Sequence, residues 1–178
     1  MPMITLACLD GTLNLWKTNS NFVRPDLTVQ GAHVKGTEIG SLVFSVDGNT
    51  VLTRGGDHTV KRRFSRGIVV FCAMFTIFVV WDIRSIKRAV ATRSEVPALY
   101  PSTNAIFSPD NKHVVTGAGG TEKGKYGDLL FLSRENLDVV KRLDVGATPV
   151  VVQWHPKINQ VRSNLAEVCN LNKPRRSL

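Results

Sequence analysis

The chain has 178 residues, 43% of them hydrophobic and 21% charged, enough apolar material for one ordinary domain with a buried core. Cys8, Cys72 and Cys169 are odd in number and widely separated, which excludes a disulfide framework and a paired metal-ligand spacing and points to a reducing compartment. Most of the net charge of +9 lies in two segments, Arg62 to Arg66 and the stretch after Val161, so it defines no basic face and direct nucleic-acid binding is not expected.

From the N-terminus onward, residues 1–7 lack the basic and apolar regions of a secretory leader, so no signal peptide is expected. Asp10-Gly11 is a turn signal before Thr-Leu-Asn-Leu-Trp16. Asp47-Gly48 and Pro109-Asp110-Asn111 are two more, each supplying a residue tolerant of positive φ. The stretches between them alternate with a period of two: Leu42 and Phe44 against Ser41 and Ser45, Val114 and Thr116 against His113 and Val115. Nothing in this regular part has apolar residues at helical spacing, so the chain is expected to be almost all β.

The alternation belongs to a longer repeat. SLVFSVDGN, NAIFSPDNK and VVQWHPKIN share an apolar run ending in an aromatic residue and a polar turn, which aligns Phe44, Phe107 and Trp154. A second set aligns Asp10 to Trp16 with Asp57-His-Thr-Val-Lys61 and, after a gap, Val80-Trp81-Asp82, and more weakly with Gly127-Asp-Leu-Leu-Phe-Leu132. Phe44 to Phe107 is 63 residues and Trp16 to Trp81 is 65. Both exceed the period of about 40–45 residues expected of one four-stranded repeat. Removing the 18 residues from Arg62 to Val79 leaves 45 and 47, against 47 from Phe107 to Trp154. One excision repairs the period.

The segments GAH (31–33), RGGDHTVK (54–61), VWDIR (80–84) and FSPDNKHVVTG (107–117) resemble WD repeats. The run ALYPSTNAIFSPDNKHVVTG and the later WHPKINQ resemble the WD repeat-containing protein 70, or gastrulation-defective, family. The resemblance covers residues 1–61 and 80–160. It implies an all-β fold, a partial WD-repeat β-propeller of about three incomplete four-stranded antiparallel blades with one non-repeat insertion. The expected organisation is a first set of partial blades over 1–61, an apolar non-repeat insertion over 62–79, further blades over 80–160 and a divergent basic tail over 161–178.

The resemblance also implies roles for residues. In WD repeats a histidine, a serine or threonine, an aspartate and a tryptophan form a hydrogen-bonded brace, which here would be His33, Thr53, Asp57 and Trp81. The physical logic is structural: a buried aspartate is costly unless its oxygens are satisfied. Some WD proteins dock on the damage-binding adaptor of cullin-4 ubiquitin ligases through a box ending in Trp-Asp-x-Arg, which Trp81, Asp82 and Arg84 match. An exposed arginine there can make a bidentate contact with a partner carboxylate, or it is an ordinary solvated charge at a strand end. Docking through this box requires the insertion to loop out.

Two segments fall outside the repeat. The first, RRFSRGIVVFCAMFTIFV, is short for a membrane span and hazardous as an exposed loop. An in-frame translated intron end would produce such a run, because Phe, Val, Ile, Met and Leu codons share a middle base. After Gln160 the repeat signal stops, and a weak helix over 164–172 or a disordered tail is expected.

Chemistry is not expected. Gly119 to Lys125 has the spacing of a phosphate-binding loop, but Tyr126 stands where a hydroxyl should hold magnesium and the flanks are strands, so a hairpin loop is the better reading. His33, His58, His113 and His155 stand at no metal-ligand spacing, and Glu122 and Asp128 fall in loops. No catalytic residue, cofactor, metal or small-molecule substrate is assigned. The expected function is a non-enzymatic WD-repeat scaffold for other proteins, nuclear, with the cullin-4 ligase adaptor as a partner. The alternatives are a small membrane-associated protein anchored by 67–81 and a truncated, non-functional WD-repeat product.

Overall fold

The structure is a computed structural model that describes residues 3–60, 73–85, 88–98, 100, 102–119, 127–155, 157–164 and 168–170; for 57–60, 73–75, 85, 95 and 168–170 the description is of the backbone. Fourteen strands and one 3₁₀ turn form four antiparallel sheets arranged in chain order. The first sheet holds β1 (Met3–Ala7), β2 (Leu13–Lys17) and β3 (Leu27–Val29). The second holds β4 (Ile39–Phe44), β5 (Thr50–Val60), β6 (Ala73–Asp82) and β7 (Ala89–Ala98), with the 3₁₀ turn Ile83–Ser85 after β6. The third holds β8 (Ala105–Phe107), β9 (His113–Gly119), β10 (Gly127–Ser133) and β11 (Val139–Asp144). The fourth holds β12 (Val152–Trp154), β13 (Gln160–Ser163) and β14 (Val168–Asn170).

The turns form where the sequence provides for them. Gly11, Gly48 and Asn111 all have positive φ, the conformation that a tight hairpin imposes and that most side chains resist. Gly11 is needed twice over, because a Cβ there would come within 2.2 Å of the His33 carbonyl oxygen. The aligned aromatics occupy equivalent places: Phe44, Phe107 and Trp154 each end the first strand of a blade and pair with Val51, Val114 and Val161 on the second.

Three apolar clusters fill the three seams between neighbouring sheets. Leu13, Leu15 and Val29 meet Val51, Val79 and Trp81; Leu52, Phe78 and Val80 meet Phe107, Val114 and Leu130; Val115, Leu129 and Phe131 meet Val152 and Val161. This explains why β9 is buried on both faces from Val114 to Gly119 although its sequence alternates. A blade packed between two others has no wet side, so the period of two separates two seams. Gly117 marks how close the third and fourth blades approach, since a Cβ there would lie 1.9 Å from the Pro149 carbonyl oxygen.

The structure departs from the sequence reading at both irregular segments. Residues 73–79, which the period placed inside an insertion, are the body of β6, paired with β5 from Val60↔Ala73 to Thr50↔Asp82 and with β7. Phe78 and Val79 are buried, one in each seam. An apolar β-branched run satisfies a central strand as well as the repeat motif does, and tertiary burial decided between them. Residues 61–72 lie outside the described residues. Beyond Gln160, the segments 160–163 and 168–170 form β13 and β14, with Val161 as an inward anchor, while 165–167 and 171–178, where a helix or tail was expected, lie outside the described residues. Among the described residues, two four-stranded blades are flanked by two three-stranded ones.

Candidate functional site

Of the four brace residues, two are brought into contact. His33 Nε2 lies 2.9 Å from Thr53 Oγ1, and both are buried. The Thr53 hydroxyl also lies 3.4 Å from the Val79 carbonyl, so it stands between the imidazole and the backbone of β6. Trp81 is two residues from Val79, the register partner of Thr53, and packs in the same seam. Its indole Nε1 is buried without a hydrogen-bond partner among the described residues. Asp57 lies on β5, and its side chain is outside the described residues.

The Trp-Asp-x-Arg segment is built as a locked turn. Trp81 ends inside the core at 7% exposure, so it supports the turn from beneath. The Asp82 carboxylate accepts the Arg84 backbone N–H at 2.9 Å, capping the 3₁₀ turn, and takes the guanidinium through Nε at 3.0 Å and Nη2 at 2.8 Å. Each group shifts the other: Arg84 pulls the Asp82 carboxyl below its usual range, and Asp82 raises the guanidinium. The Arg84 side chain is 72% exposed, and Nη1 has no partner among the described residues. The fork is thus held in a fixed direction at the blade surface.

Sequence reasoning missed the polar links between blades. Arg54 is fully buried in the seam between the second and third blades, where it donates from Nε to Thr76 Oγ1 and from Nη1 to Thr116 Oγ1 and the Gly117 carbonyl. It lies over the Phe78 ring at 5.1 Å. It pairs with no carboxylate among the described residues, and burial holds it well below its ordinary pKa. The available signal was its position, an arginine among Val51, Leu52 and Thr53 in a strand that had to be buried. At the turns, Arg134 reaches from the third blade to Asp47 of the second at 3.1 Å. Ser41 and Ala105 exchange hydrogen bonds across the same seam, and the Asn104 amide does so with Val152 across the next.

Other sequence candidates fall as follows. Asp128 is buried in β10 and receives Arg142 Nη1 at 3.2 Å. Gly119 ends β9 and Gly127 starts β10; residues 120–126 between them, including Glu122, lie outside the described residues. His155 accepts the backbone N–H groups of Lys157 and Ile158 through Nδ1, as a turn residue does.

The sheet order, the repeating aromatic–valine pairs and the fit of each sheet against the next make this a WD-repeat β-propeller chain. No protein-family model matches it. Its sequence relatives are WD repeat-containing protein 70 and gastrulation-defective proteins. The chain is 33% identical over 160 residues to the gastrulation defective protein 1 homolog of Drosophila melanogaster and 32% identical over 160 residues to WD repeat-containing protein 70 of Bos taurus, covering 89% of this chain in both. It is 30% identical over 167 residues to an uncharacterised WD repeat-containing protein of Schizosaccharomyces pombe. The chain spans 22% of the length of the first two and 26% of the third. Among solved structures, a WD-repeat propeller chain from the crystal structure of the mitotic checkpoint complex superposes with a TM-score of 0.61 at 17% identity, over 89% of this chain and 41% of that one. WD-repeat relatives of this kind are in general protein-interaction scaffolds.

Proposed function

We propose that the chain is a non-enzymatic WD-repeat scaffold that works in the nucleus and docks on the cullin-4 ligase adaptor through the turn at Arg84, as an adaptor or substrate receptor. The observation that carries the docking reading is the Asp82–Arg84 fork. An arginine held by two side-chain hydrogen bonds and a capped turn loses little freedom when a partner carboxylate meets its open Nη1, so the contact costs less ordering entropy than one from a free side chain. Trp81 contributes by fixing the turn on the core.

The alternative membrane reading is disfavoured by β6. Phe78, Val79, Val80 and Trp81 are buried between blades, so lipid would have to compete with the blade core for them.

Pull-down of the cullin-4 adaptor tests the docking. Arg84→Ala is expected to reduce recovery about tenfold relative to the parent, the loss typical of a central arginine at an interface. Asp82→Asn, which loosens the fork and keeps the arginine, should fall between them. Equal recovery of all three removes this turn from the interface. A fluorescent fusion that stays outside the nucleus refutes the localisation.

A further inference from the structure

The turn between the first and second strands of a blade follows one plan twice and departs from it the third time. In the second blade, Ser45 donates its hydroxyl to Asp47, which accepts the Asn49 amide. In the third, Ser108 donates to Asp110, which accepts the Lys112 amide. In the fourth, His155 stands at the serine position and Lys157 at the aspartate position. The imidazole Nδ1 takes over as the turn's acceptor, receiving the Lys157 and Ile158 amides at 3.1 and 3.2 Å. Ile158 stands where the earlier turns have Gly48 and Asn111, and Trp154 replaces the earlier phenylalanines.

These four departures share one location. Trp154, His155, Lys157 and Ile158 line a cavity of about 510 Å³ together with residues of the third blade, among them Phe131, Val140 and Lys141. Phe131 and Trp154 meet edge to face, with ring centroids 6.2 Å apart at 84°, and give the cavity an aromatic wall. Ile158 and Val140 leave 48% and 58% of their surface in solvent. The Lys141 and Lys157 ammonium groups have no partner among the described residues. The cavity's one carboxylate, Asp110, is already held by the Ser108 hydroxyl and the Lys112 amide, and His113 lies 3.9 Å from it.

We propose that this groove docks an acidic, extended segment of a partner protein that carries an aromatic or long aliphatic side chain among its carboxylates. The apolar residue occupies the wall formed by Phe131 and Trp154, and the flanking carboxylates meet Lys141 and Lys157. Charge separates this occupant from the chain's own 171–178 segment, which has Lys173, Arg175 and Arg176 and no acid. Like charges facing Lys141 and Lys157 repel it. The proposal rests on the scaffold reading above and names one partner's chemistry at a groove whose lining does not include Arg84, although Asp110, His113 and Val140 border both it and the cavity at Arg84.

The test is fluorescence anisotropy of the 178-residue chain with three labelled dodecapeptides. One carries a single Phe among four Glu, the second replaces Glu by Lys, and the third replaces Phe by Ser. The first is expected to bind and the other two at least about tenfold more weakly. Lys141→Glu/Lys157→Glu and, separately, Ile158→Asp should each weaken the first peptide about tenfold while circular dichroism stays unchanged. Arg84→Ala should bind like the parent, so a failure here and a failure of adaptor docking are told apart. No binding of the first peptide, equal binding of the Lys peptide, indifference to the lysine reversals, or preferential binding of a peptide with the sequence of 171–178 would overturn the proposal.

Discussion

Arg54 on β5 donates to Thr116 on β9 across the seam of the second and third blades, with Nη1 2.6 Å from Oγ1. Thr116 passes the link on by donating to the Asn104 carbonyl at 2.9 Å, and Asn104 holds the backbone of Val152 in the fourth blade. One guanidinium thus starts a polar chain through three blades. Its Nη2 is buried without a partner among the described residues, so part of the desolvation cost is uncompensated there.

Arg54→Met should therefore change stability by less than about 1 kcal/mol, because an apolar side chain of similar length removes the buried charge and keeps the packing on Phe78. Arg54→Ala should cost about 2–4 kcal/mol, because it leaves a cavity in the seam. Urea unfolding of both variants checks the pair. A methionine variant as damaged as the alanine one would mean that the hydrogen bonds, and not the volume, hold the seam.

Asp47 gives the acid dependence. The Ser45 hydroxyl, the Asn49 amide and Arg134 hold its carboxyl far below the usual carboxylate range, and in the matching turn the Ser108 hydroxyl and the Lys112 amide lower that of Asp110. A carboxylate with a depressed native pKa binds fewer protons folded than unfolded. Its contribution is full above the unfolded value of about 3.9 and is lost as pH falls below it. Asp47→Asn should lower the neutral-pH melting temperature modestly, since this turn is partly solvated, and flatten the fall below about pH 4, so that parent and variant converge in acid. Parallel parent and variant curves below pH 4 would contradict this.

The apolar segment makes a prediction about deletion. Joining Lys61 to Val80 removes 18 residues, an even number, so every remaining side chain of the strand keeps its face. Val60 then takes the place of Phe78 opposite Arg54, and Lys61 takes that of Val79 opposite Thr53. The deleted chain should fold to the same sheet content with a cooperative melt, less stable by at least about 2 kcal/mol, because Val60 is smaller than Phe78 and Lys61 would bring its ammonium to the buried place of Val79. Circular dichroism and thermal melting decide it; a deleted chain without cooperative unfolding would show that the second blade depends on Thr76 to Val79.

Much of the fold was legible because local chemistry and the repeat agreed. Asp10-Gly11, Asp47-Gly48 and Asp110-Asn111 specify turns through φ, and Phe107 and Trp154 recur near the spacing of a blade, as Phe44 does once 62–79 is discounted. The resemblance to WD repeats, not local chemistry, named His33 and Thr53 together. The periodicity could not tell that Phe78 and Val79 are core, since an insertion and a strand can share one composition. It could not see β13 and β14 either, where Val161 is the one buried residue among the described side chains.

By itself the sequence determined the class of fold, the turn positions and the residues that end each blade's first strand, because these follow from backbone sterics and from alternation along a single strand. The tertiary structure alone decided what lies between blades: Arg54 reaching Thr116, Arg134 reaching Asp47, and the groove bounded by Phe131 and Trp154. Each of these pairs residues more than 20 positions apart on different sheets, and only the packing of one sheet on the next brings them within hydrogen-bond or ring-contact distance.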